Sequence, residues 1–223
     1  MMKYAIFLNG VYPEFNMKHF EILKDRIIYC ADGGANVLYK YKLMPKMILG
    51  DLDSVKTEVL KYYEDKGVEI KKYSQDKDYT DFGIVLLHIY NQSDEYMHNR
   101  FEEQRDEFIS ELDIVVFGAT GKRVDMTLSN LKLLEKNKNM KYITEVNEIV
   151  RYIDTDTTIE NEKGKLFSII PITNIEKLTL KGFRYNLENK DISRSIGLAS
   201  NVIEDDKVSI EFEKGEMYIF LEM

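Results

Sequence analysis

The sequence predicts a chain of mixed class, α/β plus all-β. An N-terminal parallel-sheet α/β domain, residues 1–140, is followed by a C-terminal antiparallel β-sandwich domain, residues 141–223. Three observations carry this. Over the first part of the chain short apolar runs alternate with helix-patterned segments, as in units joined by right-handed crossovers. Beyond about residue 145 the helical pattern stops, and short alternating strands separated by turn signals replace it. The length, 223 residues, suits one large domain or two small ones.

The N-terminal apolar runs are Tyr4–Leu8, Ile27–Ala31, Met47–Leu49, Val68–Ile70, Ile114–Phe117 and Tyr142–Thr144. The first is too short for a secretory signal and reads as a buried strand. Helical patterns occupy Val55–Asp65, Asp81–Tyr90 and Val124–Lys136, the last with Val124, Leu128 and Leu131 at helical spacing. The C-terminal strands are read at Ile149–Ile153, Thr157–Ile159, Leu166–Ile170, Leu178–Leu180, Val208–Phe212 and Met217–Leu221. Turn signals such as Glu162-Lys163-Gly164 and Glu213-Lys214-Gly215 separate them. The acidic stretch Ser93–Asp113 reads as a solvated, helix-compatible insertion.

Composition narrows the function classes. Hydrophobic content of 44 % and charged content of 31 % are ordinary for a soluble globular protein. No apolar run approaches the roughly 20 residues of a membrane span. Cys30 is the only cysteine, so an intrachain disulfide and a paired-thiol metal site are excluded, and a reducing cytoplasm fits. The net charge of −8 argues against general nucleic-acid binding. An acidic chain still accepts an anionic nucleotide where Mg²⁺ and local bases screen its carboxylates.

The chemistry-bearing residues all follow apolar runs, at the sheet edge where ligands of parallel sheets bind. Asp51-Leu52-Asp53 follows the third run; taken alone, such a pair is more often a turn. A second acidic group, Gln75 to Asp81, contains Asp78 and Asp81. Thr80 as a helix cap explains one of those acids and leaves the other. In Asp32-Gly33-Gly34-Ala35-Asn36 the paired glycines are either a plain tight turn or a close approach to phosphate at a helix N-terminus. Gly118 to Asp125 combines glycines with Lys122 and Arg123 and matches neither a P-loop nor a dinucleotide fingerprint. Carboxylates for Mg²⁺ and bases for phosphate oxygens are the parts of phosphoryl or pyrophosphoryl transfer. His19, His88 and His98 have no metal-ligand spacing and are read as structural or surface residues.

In this order Ala-Asp-Gly-Gly-Ala-Asn, Gly-Asp-Leu-Asp-Ser, Lys-Asp-Tyr-Thr-Asp and Gly-Ala-Thr-Gly-Lys-Arg-Val-Asp resemble the motifs of the thiamine pyrophosphokinase family. Each is weak alone, and the ordered set is specific. Gly182-Phe183-Arg184-Tyr185-Asn186-Leu187 is similar to the family's Gly-x-x-(Trp/Tyr)-x-Leu element, and Leu198-Ala199-Ser200-Asn201 to its Ser-x-Ser-Asn element. The resemblance thus covers nearly the whole chain. Two positions depart from it: Met126 stands where the family usually has His, and Leu198 replaces the first Ser.

The resemblance implies transfer of a diphosphoryl group from Mg-ATP to the hydroxyl of thiamine, releasing AMP. It implies a two-domain subunit and a homodimer with the active site between subunits. Asp51, Asp53 and Asp81 become the metal-side carboxylates, with Asp78 and Arg123 completing the catalytic set. Asp32, Gly33, Gly34, Asn36, Gln75, Thr80, Thr120, Gly121, Lys122, Asp125 and Asn130 form the nucleotide side. Tyr185, Ser200 and Asn201 form the thiamine side, where Tyr185 offers a π face to a cationic thiazolium. Two rivals stand beside this reading. One is another Mg-NTP-dependent transferase acting on a different small alcohol. The other is a non-catalytic sensor of nucleotide or thiamine.

Overall fold

The computed structural model describes residues 2–74, 79–94 and 112–223, with backbone alone at 91–94. The expectations for Gln75, Asp78 and His98, and for most of the acidic stretch at 93–113, fall outside the described residues. The chain forms two compact units, Met1–Val146 and Asn147–Met223.

The first unit carries strands β1 (Lys3–Phe7), β2 (Ile27–Ala31), β3 (Met47–Gly50), β4 (Glu69–Lys72), β5 (Asp113–Phe117) and β6 (Met140–Ile143). Its described helices are α1 (Met17–Leu23), α2 (Gly34–Lys40), α3 (Thr57–Asp65), α4 (Asp81–Asp94) and α5 (Val124–Leu134). All strand pairs here are parallel, in the order β6-β5-β1-β2-β3-β4. β1, β2, β3 and β5 are buried at almost every position, which is why they read as continuous apolar runs rather than alternating ones. β4, Glu-Ile-Lys-Lys, is half-exposed at the sheet edge, where charge discourages further pairing.

The Arg26 guanidinium is buried, pairs with Asp113 at 2.6 Å and donates to the carbonyls of Ile22, Tyr4 and Asp113, tying α1 to β1 and β5. The sequence reading missed α1. Its N-terminus is closed by Asn16, whose side chain accepts from Lys18 N, while His19 Nδ1 accepts from Asn16 N at 3.0 Å. His19 thus works as a capping residue, buried and stacked on Phe15.

The second unit is a sandwich of two antiparallel sheets. One has the order β12 (Leu198–Val202), β9 (Leu166–Pro171), β14 (Met217–Glu222), β7 (Glu148–Ile153). The other runs β11 (Leu187–Ile192), β10 (Ile175–Lys181), β13 (Lys207–Glu211), β8 (Thr157–Glu160). Phe167, Ile169 and Ile219 from the first meet Leu178, Leu180 and Ile210 from the second in one core. β11 and β12 were not anticipated: Leu-Glu-Asn-Lys-Asp-Ile is exposed at its four central positions and carries no apolar alternation. Among the described residues no helix is long and apolar enough to cross a membrane.

Candidate active site

In the first unit the chain runs outward from β1 through β2, β3 and β4, then returns to place β5 and β6 on the other side of β1. The two loops leaving the carboxyl ends of β1 and β5 therefore diverge, and a crevice opens between them. A cavity of about 290 Å³ lies there, with Asn9, Asp32, Asp81, Lys122, Met126 and Asn130 on its wall.

The loops are laced together before they diverge. Leu8 N donates to Phe117 O at 2.9 Å and Val11 N to Thr120 O at 3.0 Å. The Tyr12 hydroxyl donates to Leu8 O. On the β5 side Asn130 of α5 braces the loop, its Nδ2 donating to Ala119 O at 2.8 Å, and Tyr142 donates in turn to Asn130 O at 2.6 Å. Thr120 spends its hydroxyl on Glu145 at 2.6 Å. Gly121 and Lys122 take left-handed φ of 80° and 55°, which turn the loop back toward β1. Lys122 Nζ then donates to Asn9 Oδ1 at 2.9 Å.

The acids converge from β2 and β3. These strands are parallel neighbours in the register Cys30↔Ile48 and Ala31↔Leu49, so their following residues meet. Asp32, Asp51 and Asp53 bring carboxylate oxygens within 4.8 Å of one another. Asp32 is only 5 % exposed. Burial pushes its carboxyl above the usual range, against hydrogen bonds from Gly33 and Ser54 that pull the other way. Asp53 N donates to Asp51 Oδ1 at 3.2 Å and Ser54 Oγ to Asp53 Oδ1 at 2.9 Å. Asn36 clamps the same turn, donating to Ser54 O at 2.9 Å and accepting from Lys56 N at 3.1 Å. Gly33 and Gly34 lead from Asp32 into α2.

Asp81 is the first residue of α4 and lines the cavity outside the three-acid cluster. Thr80 caps that helix, its hydroxyl accepting from Gly83 N at 3.2 Å. Arg123 and Asp125, both exposed, pair at 2.5 Å, and the guanidinium holds the Asp125 carboxyl below its ordinary range. Met126, at the position of the family's His, stands on the cavity wall.

In the second unit Tyr185 is 65 % exposed. Asn201 is buried, and its amide is directed at that loop's backbone: Oδ1 accepts from Tyr185 N at 3.0 Å and from Val202 N at 2.9 Å, and Nδ2 donates to Tyr185 O at 2.9 Å. Ser200, with a left-handed φ of 61°, donates its N–H to Ser168 Oγ at 3.0 Å.

The sequence reading passed over Asn9 and Gly10. The signal available for them was an Asn-Gly pair directly after the first apolar run, the same place in its βα unit that Gly118 holds after β5.

A parallel sheet with bases and carboxylates around its switch-point crevice, joined to a β-sandwich, defines the class: a phosphate-handling α/β transferase with an appended β domain. Residues 21–144 match the family model described as thiamin pyrophosphokinase, catalytic domain, and residues 154–217 match thiamin pyrophosphokinase, vitamin B1 binding domain. The chain belongs to the thiamin pyrophosphokinase family, whose reaction forms thiamine diphosphate from thiamine. Thiamine pyrophosphokinase 1 of Arabidopsis thaliana is 27 % identical over 94 % of this chain and 82 % of its own length. Thiamine pyrophosphokinase of Bacillus subtilis is 29 % identical, over 83 % and 82 %. In fold, the crystal structure of yeast thiamin pyrophosphokinase superposes with a TM-score of 0.79 at 21 % identity, covering 99 % of this chain and 86 % of that one. The Bacillus subtilis structure gives 0.76 at 22 % identity, covering 99 % of both.

Proposed function

We propose that the donor is Mg-ATP, that a diphosphoryl group passes in one in-line displacement to the thiamine hydroxyl, and that AMP leaves. The observation that carries this is a three-carboxylate cluster, Asp32, Asp51 and Asp53, of which Asp32 lines the same crevice as the base-bearing loop. Hard oxygen donors, one of them buried at an energetic cost to its ionised form, fit a divalent cation. Asp32, Asp51 and Asp53 would hold it, and Asp81 shares the cavity wall with Asp32. Bound Mg²⁺ supplies charge neutralisation at the phosphates.

The chain's own residues do the rest. Lys122 and Arg123 offset the negative charge that grows on the phosphoryl oxygens as the bond to AMP lengthens. Asp81 takes the proton of the attacking hydroxyl. Its place outside the three-acid cluster favours that role, because a carboxylate spent on a metal is a poor base. The balance is simple: the hydroxyl O–P bond forms, the bond between the α,β-bridging oxygen and the β-phosphorus breaks, and one proton is released. Met126 cannot exchange a proton, so no acid or base role belongs to that position here.

In this reading the first unit, Met1–Val146, is the nucleotide domain and the second, Asn147–Met223, the thiamine domain of a cytoplasmic homodimer whose sites draw on both subunits. The boundary expected at residue 140 moves past β6, which completes the parallel sheet. The decisive assay mixes purified protein with thiamine, ATP and Mg²⁺ and separates the products by chromatography. AMP and thiamine diphosphate are expected in equal amounts. ADP with thiamine monophosphate would overturn diphosphoryl transfer.

Tyr185 is the proposed wall for the cationic thiazolium, a contact of about 0.5–2 kcal/mol. Tyr185→Ala should raise KM for thiamine several-fold or more and leave KM for ATP nearly unchanged. Asn201, whose amide holds the Tyr185 backbone, then acts by setting the ring's position. A parallel rise in both KM values with a lower melting temperature would make Tyr185 a packing residue instead.

A further inference from the structure

Asn9 stands between the two charged halves of the crevice. Its Nδ2 donates to Asp32 Oδ2 at 3.3 Å, and its Oδ1 accepts from Lys122 Nζ at 2.9 Å. These two partners fix the amide's orientation, since an ammonium only donates and a carboxylate only accepts. A Cβ on Gly33 would collide with Asn9 Oδ1, so the amide lies against bare backbone at that point. Three loops meet in this one contact, those after β1, β2 and β5.

An acid and a base that face one crevice attract each other strongly, and a direct ion pair would use up both. Here a neutral dipole is interposed. Its oxygen satisfies the ammonium and its N–H satisfies the carboxylate. Each charge keeps its orientation and stays available to a third party.

We propose that Asn9 is a positioning residue, a dipolar spacer that holds the Lys122 ammonium in the crevice for the nucleotide's phosphates while keeping it out of an ion pair with Asp32. The proposal rests on the phosphoryl-transfer reading of this crevice. Without the amide, Lys122 closes on the acids, and the site loses a phosphate cation and part of a cation cluster together.

The test is a mutant cycle of wild type, Asn9→Ala, Lys122→Met and the double variant, read first by calorimetric ATP affinity in EDTA. Asn9→Ala should weaken metal-free ATP about tenfold, the scale of one charge-assisted hydrogen bond. The double variant should bind as Lys122→Met does, within about twofold, because Asn9 acts through Lys122. The second readout is Mg²⁺ titrated into nucleotide-free protein. Asn9→Ala should weaken it several-fold, and adding Lys122→Met should restore it. A residue that merely supports the fold would not be rescued by deleting the lysine.

Equal losses from Asn9→Ala in the wild-type and Lys122→Met backgrounds would overturn the proposal, as would unchanged ATP affinity. Should Asn9→Ala lower the melting temperature, Asn9→Ser, which still accepts from an ammonium, runs the same cycle and should retain more affinity. Product analysis keeps the two readings apart. Thiamine diphosphate formed alongside an additive cycle removes the spacer alone, whereas a coupled cycle without AMP removes the functional reading.

Discussion

Asp51→Asn and Asp53→Asn are each expected to lower kcat for thiamine diphosphate formation by at least about a hundredfold, with the fold intact. The scale is that of losing one strong electrostatic contact to the transition state, about 3 kcal/mol. Geometry explains why the fold should survive. The Asp51 side chain accepts the Asp53 N–H through Oδ1, and Asp53 Oδ1 accepts from the Ser54 hydroxyl. An Asn oxygen can make both bonds, so the turn after β3 keeps its local support. Only the charge is lost, and the loss relieves repulsion within a cluster whose oxygens lie within 4.8 Å of one another. The melting temperature should therefore hold or rise slightly. Steady-state kinetics at saturating ATP and thiamine, together with a thermal melt, check both halves. Retained kcat with a lower melting temperature would make these acids turn residues and nothing more.

The acidic centre shows where sequence reasoning reaches and where it stops. Asp51 and Asp53 announce themselves as a pair two residues apart. Asp32 was placed with the glycine turn on the nucleotide side and not with the metal-side acids, because its partners lie in the next βα unit. What joins them is the parallel register of β2 and β3, which aligns Ala31 with Leu49 and so brings the residues after both strands together. Adjacency of β2 and β3 is suggested by two consecutive apolar runs, but the register that sets Asp32 beside the turn after β3 belongs to the assembled sheet. The buried strands β1, β2, β3 and β5 were legible because a strand buried on both faces leaves an unbroken apolar run.

The elements that escaped share a different physics. In α1 the decisive feature is His19 acting as a capping acceptor for Asn16 N, a role its residue type does not advertise. In β11 exposed polar residues form a strand because β10 supplies its ladder, and no local preference marks it. Asn201 was expected to face the substrate, and its amide instead meets the Tyr185 backbone, 16 positions away. Side-chain to backbone bonds of that reach depend on how two loops come together, which neither periodicity nor composition encodes.

Gly10→Ala is expected to be among the most damaging single-methyl changes in the first unit, costing about 3 kcal/mol of stability and at least a hundredfold in kcat/KM. A Cβ at Gly10 would fall well inside 3 Å of Gly118 O and 2.6 Å from Thr120 O, both backbone atoms. The loop that carries these carbonyls cannot retreat freely, since Thr120 O accepts from Val11 N and Phe117 O, one residue before Gly118, accepts from Leu8 N. The loop must shift or shed those bonds, at about 1 kcal/mol each on top of the overpacking strain. A shift also moves Lys122 relative to the acids, and a displacement near 1 Å in such a site costs about a hundredfold in rate. Gly67→Ala separates this mechanism from backbone conformation. Gly67 has a φ of 75° with nothing within 4 Å of its added Cβ, so that change costs only the left-handed penalty of about 1–2 kcal/mol and leaves the kinetics alone. Chemical denaturation and kcat/KM of the two variants give the comparison. If Gly10→Ala proves no worse than Gly67→Ala by either measure, the two loops are not held at the separation this structure gives them, and the crevice between them is wider than the phosphate-binding role requires.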